Sequence, residues 1–173
     1  NTTNRFDKQT ASRSEITAVD DWTEPDPATK YIEQEAKSLV NKVDSVDVNM
    51  FYSMNPYQGC EHGCVYCYAR NSHEYWGYSA GLDFERRILV KKDAPKLLEE
   101  KLKSKNWKAH TIVLSGNTDC YQPAEKKFGI TRSCLEIFLK SRHPVGIITK
   151  NALVLRDLDI LMELAKDNLI GLN

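Results

Sequence analysis

The sequence lacks long hydrophobic runs. Its purely apolar stretches are short, as in Ile112-Val113-Leu114 and Val145-Gly146-Ile147-Ile148, far below the ~20 residues a spanning helix needs. No segment is therefore expected to cross a membrane. Net charge is also lacking, because Lys plus Arg and Asp plus Glu number 24 each, which removes any long-range pull toward nucleic acid or an anionic surface. Residues 1–7 hold no apolar signal core, and no repeat recurs at solenoid periods. An even set of cysteines is missing too. Five cysteines, three of them crowded together, suit a reduced compartment and a metal site better than a disulfide scaffold, so a cytoplasmic protein is expected.

What is present is ordinary globular material: 173 residues, 41% apolar and 28% charged, enough for one domain or slightly more. The chain begins at Asn rather than Met, and the true start is expected to precede it. Residues 15–47 carry nine acids against Lys30, Lys37 and Lys42, a local net charge of about −6. With Pro25 and Pro27 breaking it and only a short amphipathic hint across residues 32–43, residues 1–48 are expected to be an acidic, partly disordered extension.

From residue 49 the pattern changes to apolar runs punctuated by helical periodicity. Strands are expected at 50–54, 84–90, 111–114, 145–149 and 169–172, with helices opened by Asp93 and spanning 125–140 and 153–166. Strands alternating with helices predict βαβ units, hence an α/β fold with a parallel sheet; an open sheet and a barrel both satisfy that pattern. At ~30 residues per βα unit, residues 49–173 hold about four units. The last strand has no helix after it to cover it, so further sequence beyond residue 173 is expected.

The strongest local signal is Cys60-Glu61-His62-Gly63-Cys64-Val65-Tyr66-Cys67, three thiols tight enough to share one ligand set. Thiolates select zinc, copper(I) or iron–sulfur clusters. A structural zinc needs four ligands, and His62 or His73 is available as the fourth. A 4Fe-4S cluster usually takes four cysteines, yet Cys120 and Cys134 lie far downstream. One iron would then lack a protein thiolate, leaving an open position of the kind where substrate or cofactor binds. On spacing alone both centres stay open, as does a non-catalytic metal module.

Cys-x3-Cys-x2-Cys after the first strand, with the aromatic Tyr66 before the third cysteine, resembles the radical SAM superfamily. The longer run from Asn55-Pro56-Tyr57 to Tyr68-Ala69-Arg70 is similar to the branch related to spore photoproduct lyase, often labelled DNA repair photolyase. Ser115-Gly116-Asn117-Thr118-Asp119-Cys120-Tyr121-Gln122-Pro123, Ile148-Thr149-Lys150 and Leu155-Arg156-Asp157-Leu158-Asp159 resemble it as well. The resemblance implies the first four βα units of a partial (βα)6, TIM-like barrel. It also implies that Cys60, Cys64 and Cys67 bind three irons of a 4Fe-4S cluster while S-adenosylmethionine chelates the fourth. One electron then splits the sulfonium, and the 5′-deoxyadenosyl radical abstracts hydrogen from the substrate. An electron donor such as flavodoxin or ferredoxin is implied, with no membrane partner and a monomeric chain.

The same resemblance places Tyr66 and Tyr68 against the cofactor and Lys150 beside its carboxylate. Asn117, Thr118 and Asp119 fall past the 111–114 strand, and Asn173 at the end of the last one, at the carboxyl ends where parallel folds hold ligands. Cys120, on the same rim, is a candidate hydrogen donor to a product radical, although a small buried residue without chemistry explains it too. Cys134 lies within a helical apolar pattern. Nine of the sixteen aromatics fall within residues 51–84, which suits water exclusion around a cysteine loop. The substrate is open. Residues 83–108 carry nine basic against five acidic side chains, a net of about +4 that fits a DNA-facing strip or a solvated helix face.

Overall fold

The computed structural model describes residues 29–44 and 50–173. Its larger sheet has five strands in the order β2 (Val40–Lys42), β3 (Tyr52–Met54), β6 (Ile112–Leu114), β7 (Val145–Ile147) and β8 (Ile170–Leu172). β3, β6, β7 and β8 run parallel, and β2 pairs antiparallel with β3 at the edge. Uninterrupted apolar strands such as Ile112-Val113-Leu114 are what a sheet covered on both faces demands. Ile112, Leu114, Val145 and Ile147 are accordingly buried.

A second, three-stranded sheet has the order β1 (Lys30–Glu33), β5 (Arg87–Val90), β4 (Tyr57–Gln58), with β1 parallel and β4 antiparallel to β5. The helices are α1 (Leu82–Arg86), α2 (Ala94–Lys103), α3 (Ala124–Phe128), α4 (Ile130–Lys140) and α5 (Leu158–Lys166). α4 turns Leu135 and Phe138 inward and α5 turns Ile160 and Leu164 inward, joining Met54, Leu98 and Tyr121 in one core. The α/β class expected from the alternating pattern is present. The sheet is open, and no barrel closes among the described residues.

Several boundaries move, each for a visible reason. The strand expected over 84–90 begins only at Arg87. Its first half is α1, closed by the Phe84 N–H on the Gly81 carbonyl (3.1 Å) and by the Asp83–Arg87 ion pair (2.9 Å). The helix expected over 125–140 is two helices, because Gly129 takes φ +63 and the Glu125 carboxylate accepts the N–H groups of Thr131 (2.9 Å) and Arg132 (3.3 Å) at the start of α4. The helix expected over 153–166 opens as a 3-10 turn, Ala152–Asp157, capped by Asn151. The amphipathic hint at 32–43 is not helical; it holds the end of β1 and all of β2, one strand in each sheet. The remaining acidic residues of the extension, at 15–28 and 45–47, lie outside the described residues.

The crossovers are fastened by a buried ion cluster. Glu125 and Asp157 are both fully buried, and Arg156 pairs with each (2.8 and 2.7 Å). Arg132 reaches Asp157 at 2.9 Å, Tyr121 donates to Asp157, and Tyr57 donates to Glu125. Glu125→Ala would leave the Tyr57 hydroxyl and two backbone N–H groups without their acceptor and Arg156 with Asp157 as its remaining carboxylate partner. Removal of one partner from a buried pair costs ~3–5 kcal/mol. Urea denaturation is expected to show a loss of that size, with Glu125→Gln losing less.

Candidate metal centre

Strand β4 delivers the chain to Gly59, which sits at φ +78. A Cβ there would lie 2.9 Å from the Phe84 carbonyl oxygen and 3.0 Å from that of Arg87, so the turn admits only glycine. The Cys60 N–H then donates to the Phe84 carbonyl (2.8 Å), turning the thiol inward beside Ala69 and Phe84. Two further turns follow, Gly63 N–H to Cys60 O (3.4 Å) and Cys67 N–H to Cys64 O (3.2 Å). They keep residues 60–67 within one compact loop. Cys67 caps a 3-10 helix, Tyr68–Trp76.

All five cysteines are free; Cys60 is buried, and Cys64 and Cys67 are half-buried. Burial, and secondarily Asp119, pushes the Cys60 thiol well above its ordinary range. Among the described residues no three His, Cys, Asp or Glu side chains are drawn into a metal-ligand set. The donor chemistry nevertheless fits a soft cluster with three protein ligands. Three free thiols share the loop, whereas Cys120 and Cys134 are buried in the large core and supply no fourth.

Arg70 holds the far half of the loop. Its Nη2 donates to the Gly63 carbonyl (2.9 Å) and its Nε to that of Cys64 (3.1 Å). Nη1 reaches the Ala80 and Gly81 carbonyls, the guanidinium pairs with Glu85, and it lies over the Phe84 ring at 5.3 Å. Arg70 stands at the end of the 55–70 run, yet only the fold reveals that most of its partners are backbone carbonyls.

The loops after β6 and β7 close on this one. Asn55, at the end of β3, accepts the N–H groups of Asn117 (3.1 Å) and Thr118 (3.4 Å), which seats the 115–119 loop at the carboxyl ends of the strands. Asp119 accepts from Thr149 Oγ1 (2.8 Å) and from the Lys150 N–H (3.0 Å), and faces His62 at 3.4 Å. Burial raises its carboxyl, but His62 and the N–H groups of Lys150 and Tyr121 outweigh burial and hold it below the usual range. The Lys150 ammonium donates to the Tyr66 hydroxyl and lies 4.2 Å from that ring's centroid. That bond, and then the nearby Cys64 and Cys67, raise its pKa.

The expected site residues are thus partly gathered. Tyr66, Asp119 and Lys150 meet at the cysteine loop, and Tyr68 crosses to the Gly116 carbonyl. Asn117 Nδ2 donates to Ser72 in the 3-10 helix (2.9 Å). Thr118 is buried with its hydroxyl engaged by the Tyr57 carbonyl, Cys120 is fully buried, and Asn173 is tied by its backbone to Ile147 and Thr149. The aromatic group is divided. Tyr57 and Phe84 are buried, while Tyr66, Tyr68, Tyr75 and Trp76 stand exposed.

Residues 54–173 match the family model described as the Radical SAM superfamily. The chain belongs to the radical SAM superfamily. Members of this superfamily are enzymes and typically bind a 4Fe-4S cluster and S-adenosylmethionine. Uncharacterized proteins of Mycobacterium bovis and Mycobacterium tuberculosis are each 37% identical over 131 residues, 75% of this chain and 38% of theirs. An uncharacterized protein of Methanocaldococcus jannaschii is 37% identical over 110 residues, 63% of this chain and 39% of its own. The chain spans about two fifths of the length of these relatives. No solved structure matches it. Among the described residues no helix is long and apolar enough to cross a membrane.

Of this radical SAM chain's two ligand-candidate histidines, His62 faces Asp119 and His73 is walled in by Tyr78 and Phe84, with ring centroids 5.3 and 5.6 Å away. Burial lowers the His73 imidazole from its usual 6.5 to about 4. Below pH 6.5 the unfolded chain binds a proton that the folded chain refuses until about pH 4. Stability therefore falls as pH falls through that window, by up to ~1.4 kcal/mol per pH unit. Urea denaturation of the metal-free chain between pH 7 and pH 4.5 is expected to show this slope, and His73→Gln to flatten it.

Proposed function

We propose that this chain holds a 4Fe-4S cluster through Cys60, Cys64 and Cys67, binds S-adenosylmethionine beside it, and serves hydrogen-atom abstraction from a substrate. The observation that carries this reading is the three free thiols in one loop, met by Asp119 and Lys150 from the ends of β6 and β7. When bound, the cluster and cofactor supply a one-electron cleavage that yields a 5′-deoxyadenosyl radical, chemistry that belongs to the cofactors and not to the fold. The chain's own residues bind and orient. The Lys150 ammonium offers a partner for the cofactor carboxylate, and Asp119, gripping the Thr149 hydroxyl and the Lys150 N–H, fixes where that ammonium starts. Tyr66 presents a ring face to the same space and Tyr68 braces the loop against Gly116, while Asn117 follows β6 and Asn173 follows β8 at the same ends of the sheet. Thr118 acts through the backbone it holds. Flavodoxin or ferredoxin is the class of protein reductant that suits this chemistry.

Within the superfamily, the runs at 55–70 and 115–123 support the branch related to spore photoproduct lyase. The basic strip at 83–108 lends little support to a DNA substrate, because Arg87 pairs with Asp83, Lys92 with Glu33 and Lys103 with Glu99. Lys91 is buried, donating to the Asn55 carbonyl. A peptide or small molecule is equally compatible with those pairings, and salt-dependent binding of a DNA duplex separates the cases.

Anaerobic reconstitution should give brown protein with about four irons and four sulfides per chain. Reduction with S-adenosylmethionine present should release 5′-deoxyadenosine and methionine. Replacing Cys60, Cys64 or Cys67 by Ala should abolish both the visible absorption and the cleavage, and Cys134→Ala should preserve them. One tightly bound zinc with no iron would overturn the proposal.

A further inference from the structure

Gln122 is fully buried, and its side-chain amide makes two hydrogen bonds that straddle Cys60. Nε2 donates to the Gly59 carbonyl (3.0 Å), and Oε1 accepts the Glu61 N–H (3.1 Å). We propose that Gln122 is a positioning residue whose amide clamps the backbone on both sides of Cys60 and so fixes how that sulfur is presented; this rests on Cys60 being a cluster ligand.

The neighbouring contacts make the clamp rigid. Gly59 is confined by the carbonyls of Phe84 and Arg87, and the Cys60 N–H is bound to Phe84. With residues 59 and 61 also gripped, the Cys60 Cα–Cβ direction has one setting. Glu61 is tied a second time, through its carboxylate, which accepts from Tyr31 of β1 at 3.0 Å. Gln122 is itself held, since its N–H donates to the Asp119 carbonyl (3.4 Å) and its carbonyl accepts from the Glu125 N–H (2.8 Å). One side of the clamp therefore belongs to the Asp119 loop and the other to the buried Glu125–Arg156–Asp157 cluster.

A metal site tolerates only about ±0.2 Å in ligand distance, and hydrogen bonding around thiolate sulfurs tunes an iron–sulfur potential. An amide that merely satisfied its own buried polarity has no need to choose the two peptide groups flanking a single ligand. Removing it leaves the Glu61 N–H and the Gly59 carbonyl unpaired in the interior, and the loop must shift or admit water to satisfy them.

The test compares Gln122→Met and Gln122→Glu with the parent protein. Hydrogen exchange of the metal-free chain is followed at the Glu61 amide, and electron paramagnetic resonance and midpoint potential are measured after iron–sulfur reconstitution. In Gln122→Met, exchange at Glu61 is expected to rise at least tenfold with the core still protected, and the loaded protein to show an altered resonance and a shifted potential. Gln122→Glu keeps an acceptor for the Glu61 N–H but loses the donor to Gly59. Its Glu61 amide should stay protected while the cluster signature still changes. Parent-like exchange in Gln122→Met, or parent-like spectra in both variants, overturns the inference. If Gln122→Met does not fold, Gln122→Glu decides by its spectra; if neither folds, Gln122 serves folding and not ligand positioning, and the inference is wrong. Parent protein that binds no iron refutes the proposed function instead, while the exchange comparison still reports whether the clamp exists.

Discussion

The fold hangs on the carboxylates of Glu125 and Asp157, which are wholly buried and reach the surface only through the half-exposed Arg132 and Arg156. Burial of two acids is tolerable because each is met by a guanidinium and by hydroxyl or backbone donors; Coulomb attraction alone rarely offsets desolvation. What the cluster contributes is geometry. Glu125 starts α4, accepts from Tyr57 in the small sheet and pairs with Arg156 in the turn before α5. Three segments remote in sequence are thereby brought into one register. The cysteine loop begins three residues after Tyr57, so it inherits that placement.

Legibility followed the range of the forces involved. β6, β7 and α4 were readable because local apolar periodicity alone places them. The cysteine loop was readable because Cys60, Cys64 and Cys67 lie within eight residues, a span that two turns close. The 84–90 strand was misplaced because Asp83, Arg87 and the Gly81 carbonyl close a helical turn that β-propensity does not register. The uninterrupted helix at 125–140 overlooked Gly129, whose positive φ is permitted by composition but required only by the capping carboxylate of Glu125. The amphipathic hint at 32–43 pointed to a helix, yet residues 30–33 and 40–42 are strands because two sheet edges stand ready to receive them.

The candidate site divides in the same way. Tyr66, Asp119 and Lys150 were named from a motif and do meet at the loop. Arg70 and Gln122 lie inside quoted motifs, yet their work is done on backbone carbonyls and N–H groups, and nothing in a side chain's identity announces which distant peptide group it will hold. Their partners are peptide groups that every residue carries, so the sequences of those partners hold no trace of the pairing. The loop that bears the three thiols is thus held largely by contacts that the cysteines themselves do not report.

The parallel pairing of β1 with β5, Lys30 opposite Arg87, places an edge strand next to the thiol loop, because Tyr31 of that strand donates to Glu61. The pairing of β3 with β6, Tyr52 opposite Ile112, closes a loop at least as long, so loop closure gives neither sheet a head start. Until β1 docks, Tyr31 is not in place on Glu61, and the residue beside Cys60 is restrained on one side only. Undocking of β1 therefore frees the Glu61 carboxylate while Gln122 still holds the Glu61 N–H. Fraying of that edge strand thus reaches the backbone beside Cys60 through one hydroxyl–carboxylate contact, while the large sheet shares no strand with it.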